Sequence, residues 1–280
     1  MTVSDRSLPA YARPPVNEVV LGVQSNKLTL TTPLLGLFWA SVRESYPDFQ
    51  VQPALDPVVE RFGETPQTVG PVPGLRLLEQ PETPRCWFLE KPGNRLIQVQ
   101  QDRLIYNWRR VVDSDQYPHY AQVKDAFARE YERLSQFVKT EERAGQLEPN
   151  WCETTYINHL LPDPGRWAPG ELEKLFTVFG PRPDGGFLPP AEQGQFAFTF
   201  LIPDSAGEPL GRLHVSLARA IRQKDSAHLL VFELTARGRP DGEGLDGVLR
   251  FMDRAHEWIV RGFTELTRPS MHELWGRFDG

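Results

Sequence analysis

Apolar positions recur along the chain with two periods. Alternation with period two marks strands, and recurrence near 3.6 marks helices. Residues 17–24 read as a first strand. Thr32-Pro33 then starts a helix, Thr as cap and Pro at the first helical position, with Leu34, Leu35, Leu37, Phe38 and Val42 on its apolar face. The Pro-rich stretch 50–84 reads as an irregular connection, with a turn of helix over 58–62 and a short strand over 74–79. A meander follows: strands over 86–90, 95–100 and 103–111, joined by Lys91-Pro92-Gly93-Asn94 and Gln101-Asp102. Residues 120–145 form a long helix with Val123, Phe127, Leu134 and Val138 inward. The order then repeats. A strand over 151–160 is followed by a shorter helix over 169–179 and a Pro/Gly-rich link over 180–192. A second meander covers 195–202, 210–221 and 228–237, and a second long helix covers 245–267.

This β-α-β-β-β-α order, met twice, predicts an internal duplication. The boundaries are an extended arm over 1–15, a first repeat over 16–147, and a second repeat with a C-terminal tail over 148–280. Two such units joined edge to edge through their opening strands give one antiparallel sheet, with helices on one face and the other face open. The expected class is α+β, similar to the saddle of the TATA-binding-protein fold or to helix-grip folds. Fold alone does not fix function.

Composition narrows the class. The chain has 280 residues, 40% hydrophobic and 24% charged, as in soluble globular proteins. No apolar run approaches the roughly 20 residues of a membrane span, and residues 1–6 lack a signal-peptide pattern. A cytoplasmic protein is expected. Cys86 and Cys152 are expected as free buried thiols. The histidines fall in no metal-ligand spacing, and there is no phosphate loop or nucleophile signature, so neither metal nor cofactor is expected and enzyme activity stays open.

Net charge is −6, against a general nucleic-acid binder. Its distribution is uneven. Residues 85–110 carry six cations against two carboxylates, and residues 205–240 carry six against three. The predicted sheet regions are therefore basic and the remainder acidic, which points to an anionic partner on the sheet.

Several stretches resemble one bacterial family that is uncharacterised and sporadically distributed. Pro14-Pro15-Val16-Asn17-Glu18-Val19 is similar to its Pro-Pro-(Ile/Val)-x-Glu-Val opening. Residues 96–107 resemble its Gln- and Asp-containing meander, Tyr156-Ile157-Asn158 its central strand, and residues 254–267 its closing helix. The resemblance spans residues 10–277. Where the family often has Gly-Leu-Arg-Tyr, this chain has Cys152-Glu153-Thr154-Thr155-Tyr156 and loses the Arg. The resemblance implies architecture and assigns no activity. Sporadic distribution implies an accessory gene, such as a defence or toxin-neutralising component.

Strand alternation places Leu104, Tyr106 and Trp108 opposite Ile105, Asn107 and Arg109. Candidate ligand-binding residues on the open face are Glu18, Gln98, Asn107, Arg109, Glu153, His214 and Arg237, with Gln100 and Glu233 beside them. Glu18 and Glu153 are the sharpest pair. As pseudo-symmetry mates on neighbouring strands they suit acid–base work if close, and ion pairing with Arg109 or Arg237 is the preferred reading. Asn107 and Asn158, disfavoured in strands, are expected to bond neighbouring loops. In the tail, Met271, Leu274 and Trp275 form an apolar stripe that docks on its own domain or serves as a partner-binding surface. These features predict a non-enzymatic protein that binds a protein partner, or a second copy of itself, through the sheet face or the tail. The alternative is a small-ligand or nucleotide-binding protein, or an enzyme, working on the open face. Nucleic acid is a disfavoured partner, and no membrane is expected.

Overall fold

Residues 7–57, 59–63, 83–180, 187–189 and 191–279 are described by the structure, a computed structural model. The expected strand over 74–79 lies outside them, as does Val58 in the expected turn over 58–62. Residues 59–61 are not helical, and residues 62 and 63 form a turn.

The opening strand of each half lies at the centre of one nine-stranded antiparallel sheet. These are β2 (Val16–Gln24) and β7 (Trp151–Leu160). They pair antiparallel, with Val20 opposite Thr155 and Gln24 opposite Trp151. On the β2 side follow β6 (Arg103–Arg109), β5 (Arg95–Gln100), β4 (Arg85–Leu89) and β3 (Asp48–Gln52). On the β7 side follow β10 (Ala227–Gly238), β9 (Pro209–Arg222) and β8 (Phe196–Pro203). In both halves the last strand of the meander returns beside the opening strand. The first half adds β3 at its edge. That strand falls partly inside the stretch expected to be irregular. It is five residues long, lies at the sheet edge and is followed by Pro53, so its alternation is too brief to stand out.

Helices cover one face. They are α1 (Thr32–Val42), α2 (His119–Thr140), α3 (Leu172–Leu175) and α4 (Gly244–Leu266). The long α2 and α4 lie over the central strands and touch each other. They bury Phe127, Leu134, Phe251, Met252 and Ile259 against Val19, Leu21, Tyr106, Trp108 and Leu234. Each such apolar side chain contributes roughly 1.5–3 kcal/mol on burial. Helix α1 begins as Pro33 predicts, but its cap position is Thr31, which makes no side-chain cap bond. Gly145 follows the 3-10 turn Glu142–Ala144 at φ 78°, and a Cβ there would sit 2.2 Å from the Lys27 carbonyl oxygen. Glycine thus lets the end of the α2 region close onto the loop after β2.

The shorter helix of the second half is a correction. Residues 169–179 were expected to be helical, and only Leu172–Leu175 are. Tertiary pairing overrides the local pattern. Phe176 bridges to Thr267, the Thr177 amide donates to the Leu266 carbonyl at 2.9 Å, and the Arg268 amide donates to the Leu175 carbonyl at 2.8 Å. With so short a helix, Phe198 and Phe200 of β8 stay partly exposed.

The arm and the tail fold onto the domain together. Strand β1 (Pro9–Tyr11) pairs antiparallel with β11 (Arg277–Asp279) after α5 (Pro269–Leu274). Met271 and Trp275 are buried, Leu274 packs against the core, and the Trp275 ring centroid lies 5.0 Å from that of Phe263. The apolar stripe of the tail is thereby engaged within the chain. Cys86 and Cys152 are free thiols, and burial pushes both pKa values up. Among the described residues no helix is long and apolar enough to cross a membrane.

Candidate functional site

The open face is built by alternation. Because Val19, Leu21 and Val23 point into the helix-covered core, Glu18, Val20, Gly22 and Gln24 point the other way. Register then carries the same parity across the sheet. Glu18 is opposite Arg109, Gln98 opposite Ile105, Leu96 opposite Asn107, Arg237 opposite Glu153, and His214 opposite Thr235. All seven sequence-derived candidates therefore share this face.

They do not form one cluster. Glu153 is opposite Gly22, and Glu18 is opposite Ile157. Four strand residues separate the two carboxylates, about 13 Å at 3.3 Å per residue. A proton-sharing dyad is excluded by that distance. The two glutamates do share one feature, since each is opposite an Arg on the last strand of its own meander. The two pairs have diverged. Arg237 Nε donates to Glu153 Oε2 at 2.5 Å. Glu18 instead accepts from Asn107 Nδ2 at 2.6 Å, while Arg109 donates its Nε to the Gly93 carbonyl at 3.0 Å. Burial pushes the Glu18 carboxyl above its ordinary value, and the Asn107 bond and the Arg109 charge only partly offset it.

Asn107 is explained by a polar ladder rather than by a loop contact. Arg85 Nη1 donates to Gln98 Oε1 at 2.7 Å, Gln98 Nε2 donates to Asn107 Oδ1 at 2.7 Å, and Asn107 Nδ2 continues to Glu18. Four adjacent strands thus contribute one residue each. Asn158 bonds backbone instead, donating its Nδ2 to the Phe232 carbonyl at 3.0 Å.

Residues 53–57 and 59–63 lie across the open face as a strap. The Leu55 amide donates to Gln100 Oε1 at 2.9 Å, and Gln100 Nε2 returns a bond to the Leu55 carbonyl at 3.0 Å. Arg103 Nη2 donates to the Asp56 carbonyl at 2.9 Å. Further along, Glu60 Oε2 accepts from Arg212 Nη1 at 2.7 Å and Glu60 Oε1 lies 2.6 Å from His214 Nε2. The Arg212 guanidinium sits 5.1 Å from the Phe62 ring centroid. Burial works against the Glu60 carboxylate, but its bonds to His214 and Arg212 outweigh that and hold its pKa below the ordinary value. The strap ties the first half of the sheet to the second. Between strap and sheet is a cavity of about 260 Å³ beside Arg103, Trp151, Glu153 and Arg237.

Two residues outside the candidate set complete the picture. The guanidinium carbons of Arg85 and Arg109 each lie 5.6 Å from the Trp87 ring centroid, within cation–π range. Burial and the neighbouring Arg103 charge both lower the pKa of Arg85. Trp87 Nε1 is buried without a hydrogen-bond partner among the described residues. The alternation of β4 is the signal that puts Arg85 and Trp87 on this face. For Glu60 no local signal exists, because its partners lie some 150 positions away. Tyr106 and Trp108 are in the core, as their alternation requires. Among the described residues no group of His, Cys, Asp and Glu is arranged to hold a metal ion. Compared with models of protein families, with curated proteins and with solved structures, the chain gives no match.

Proposed function

We propose that the chain is a non-enzymatic, cytoplasmic binding protein that holds an acidic region of a protein partner on its open sheet face. One observation carries this reading. The carboxylates of the face are already engaged: Glu18 by Asn107, Glu60 by Arg212 and His214, Glu153 by Arg237, and Glu233 by Thr235. What the face offers a partner is the half-buried Arg85, Trp87 and Arg109 cluster, and Arg and Trp are the residue types that dominate binding hot spots. An acidic partner relieves the electrostatic cost that Arg103 imposes on Arg85 and complements the basic meanders. An accessory role in defence or toxin neutralisation suits the sporadic distribution implied by the family resemblance. The test is recovery of a partner from the native host with tagged protein. Arg85→Ala with Arg109→Ala should abolish recovery while leaving the melting temperature within a few degrees, and recovery should fall steeply with salt. Recovery untouched by both substitutions and by salt would overturn the reading.

The strap cavity supports a second reading, a small polar ligand or nucleotide held by Arg103 and Arg237. Saturable heat on titration with nucleoside triphosphates, lost in Arg103→Ala, would favour it.

A further inference from the structure

The helix-covered side of the sheet holds a second cavity, of about 350 Å³, in the size range of small-molecule sites. The central strands form its floor through Val16, Tyr156 and Leu234, and α4 contributes Ile259 and Phe263. The start of α2 and the arm over residues 8–14 complete it. None of the seventeen lining residues is Asp, Glu, Lys or Arg. A charged ligand would therefore enter without a counter-charge in the wall, at high desolvation cost.

Three polar groups in the wall are linked in one chain. Tyr117 Oη lies 2.9 Å from Tyr156 Oη, which lies 2.9 Å from His256 Nδ1. The His256 ring stacks on Tyr120 at 3.9 Å and 9°, and Tyr120 donates its hydroxyl to Asp253 Oδ1 at 2.9 Å. Burial pushes both hydroxyls of the chain up and pushes His256 down to about 4, so all three groups are neutral near pH 7. Hydroxyls rotate, and a neutral imidazole nitrogen either donates or accepts according to tautomer. The chain can therefore run in either direction, and Tyr117 Oη at its end offers a donor or an acceptor.

From this geometry we infer that the cavity binds an uncharged, mostly apolar small molecule whose single hydroxyl or carbonyl oxygen bonds to Tyr117. The apolar walls take the body of the ligand, and the Tyr117–Tyr156–His256 chain fixes its polar end. Ala121, exposed on α2, marks the rim.

The test uses the full chain and the neutral fluorophore N-phenylnaphthylamine, with octanol and octanoate as competitors at neutral pH. The dye should bind saturably, and octanol should displace it about tenfold more effectively than octanoate. Ala121→Trp at the exposed rim and Val260→Trp in the wall should each block dye binding with the fold retained. Tyr117→Phe should keep dye binding and weaken octanol about fivefold. No saturable dye binding to the native protein would overturn the inference. So would octanoate competing as well as octanol, or dye binding that survives both tryptophan substitutions.

Discussion

Acidification from about pH 7.5 to about pH 5 should cost the fold about 2 kcal/mol through His256 alone. The ring stacks on Tyr120, contacts the Tyr156 hydroxyl through Nδ1, and is half-buried between α4 and the start of α2. Burial is the largest influence on it. The Asp253 carboxylate favours the protonated ring, Lys124 opposes it, and the pKa falls from 6.5 to about 4. The unfolded chain therefore takes up the proton first as pH falls. Stability from the neutral ring is fully present above 6.5 and is lost as pH drops toward 4. Because the ring is almost fully protonated in the unfolded chain at pH 5 and mostly neutral in the fold, the linkage integral gives the figure of about 2 kcal/mol. Urea denaturation of the native chain and His256→Gln across this range isolates the effect, since other titrating groups are common to both. Gln keeps a hydrogen-bond partner for Tyr156 and does not titrate. Stability of the native chain should fall by about 2 kcal/mol more than that of the variant. Equal slopes would refute the claim that the fold holds this ring neutral.

The two glutamates should respond differently to substitution. Glu18→Gln should leave the melting temperature at neutral pH unchanged or raise it, since it removes a buried charge and keeps an acceptor for Asn107. Glu153→Gln should cost about 0.5–1.5 kcal/mol, a modest amount because the Arg237 pair is partly solvated. Asn107→Leu breaks the ladder at both ends and should cost about 2–3 kcal/mol in chemical denaturation. Glu60→Ala unties the strap, so limited proteolysis should cut within 53–63 faster than in the native chain. The Glu60 contribution is present above the ordinary carboxylate range and is lost as pH falls through its lowered folded value.

Much of the fold was legible because alternation and helical periodicity are local signals. The strands of the two meanders, the two long helices, and the shared face of Glu18, Asn107, Arg109 and Arg237 follow from them. Other features were not legible. Glu18 and Glu153 are mates by order, but the β2–β7 register that sets them about 13 Å apart is a tertiary quantity. Residues 169–179 look helical, yet Phe176 and Thr177 are drawn into pairing with residues 266 and 267. Glu60 sits in a Pro-flanked connection with no periodicity, and only the folded chain brings it to Arg212 and His214. The tail was legible in kind: its apolar stripe shows amphipathicity, and only the structure shows that Met271 and Trp275 are buried against the chain itself.

Chemical crosslinking with mass spectrometry, applied to the protein together with the partner recovered from its native host, tests the role of the open face most directly. Lysines are sparse on this face, so a carboxylate-to-amine reagent and a photoreactive group placed at Gln50, beside Trp87 in the register, extend the reach. The account predicts crosslinks from the β3–β6 side of the open face to an acidic segment of the partner, lost together with binding in the Arg85→Ala, Arg109→Ala double variant. Crosslinks confined to the helix-covered face or to the tail, and unchanged in that variant, would contradict it.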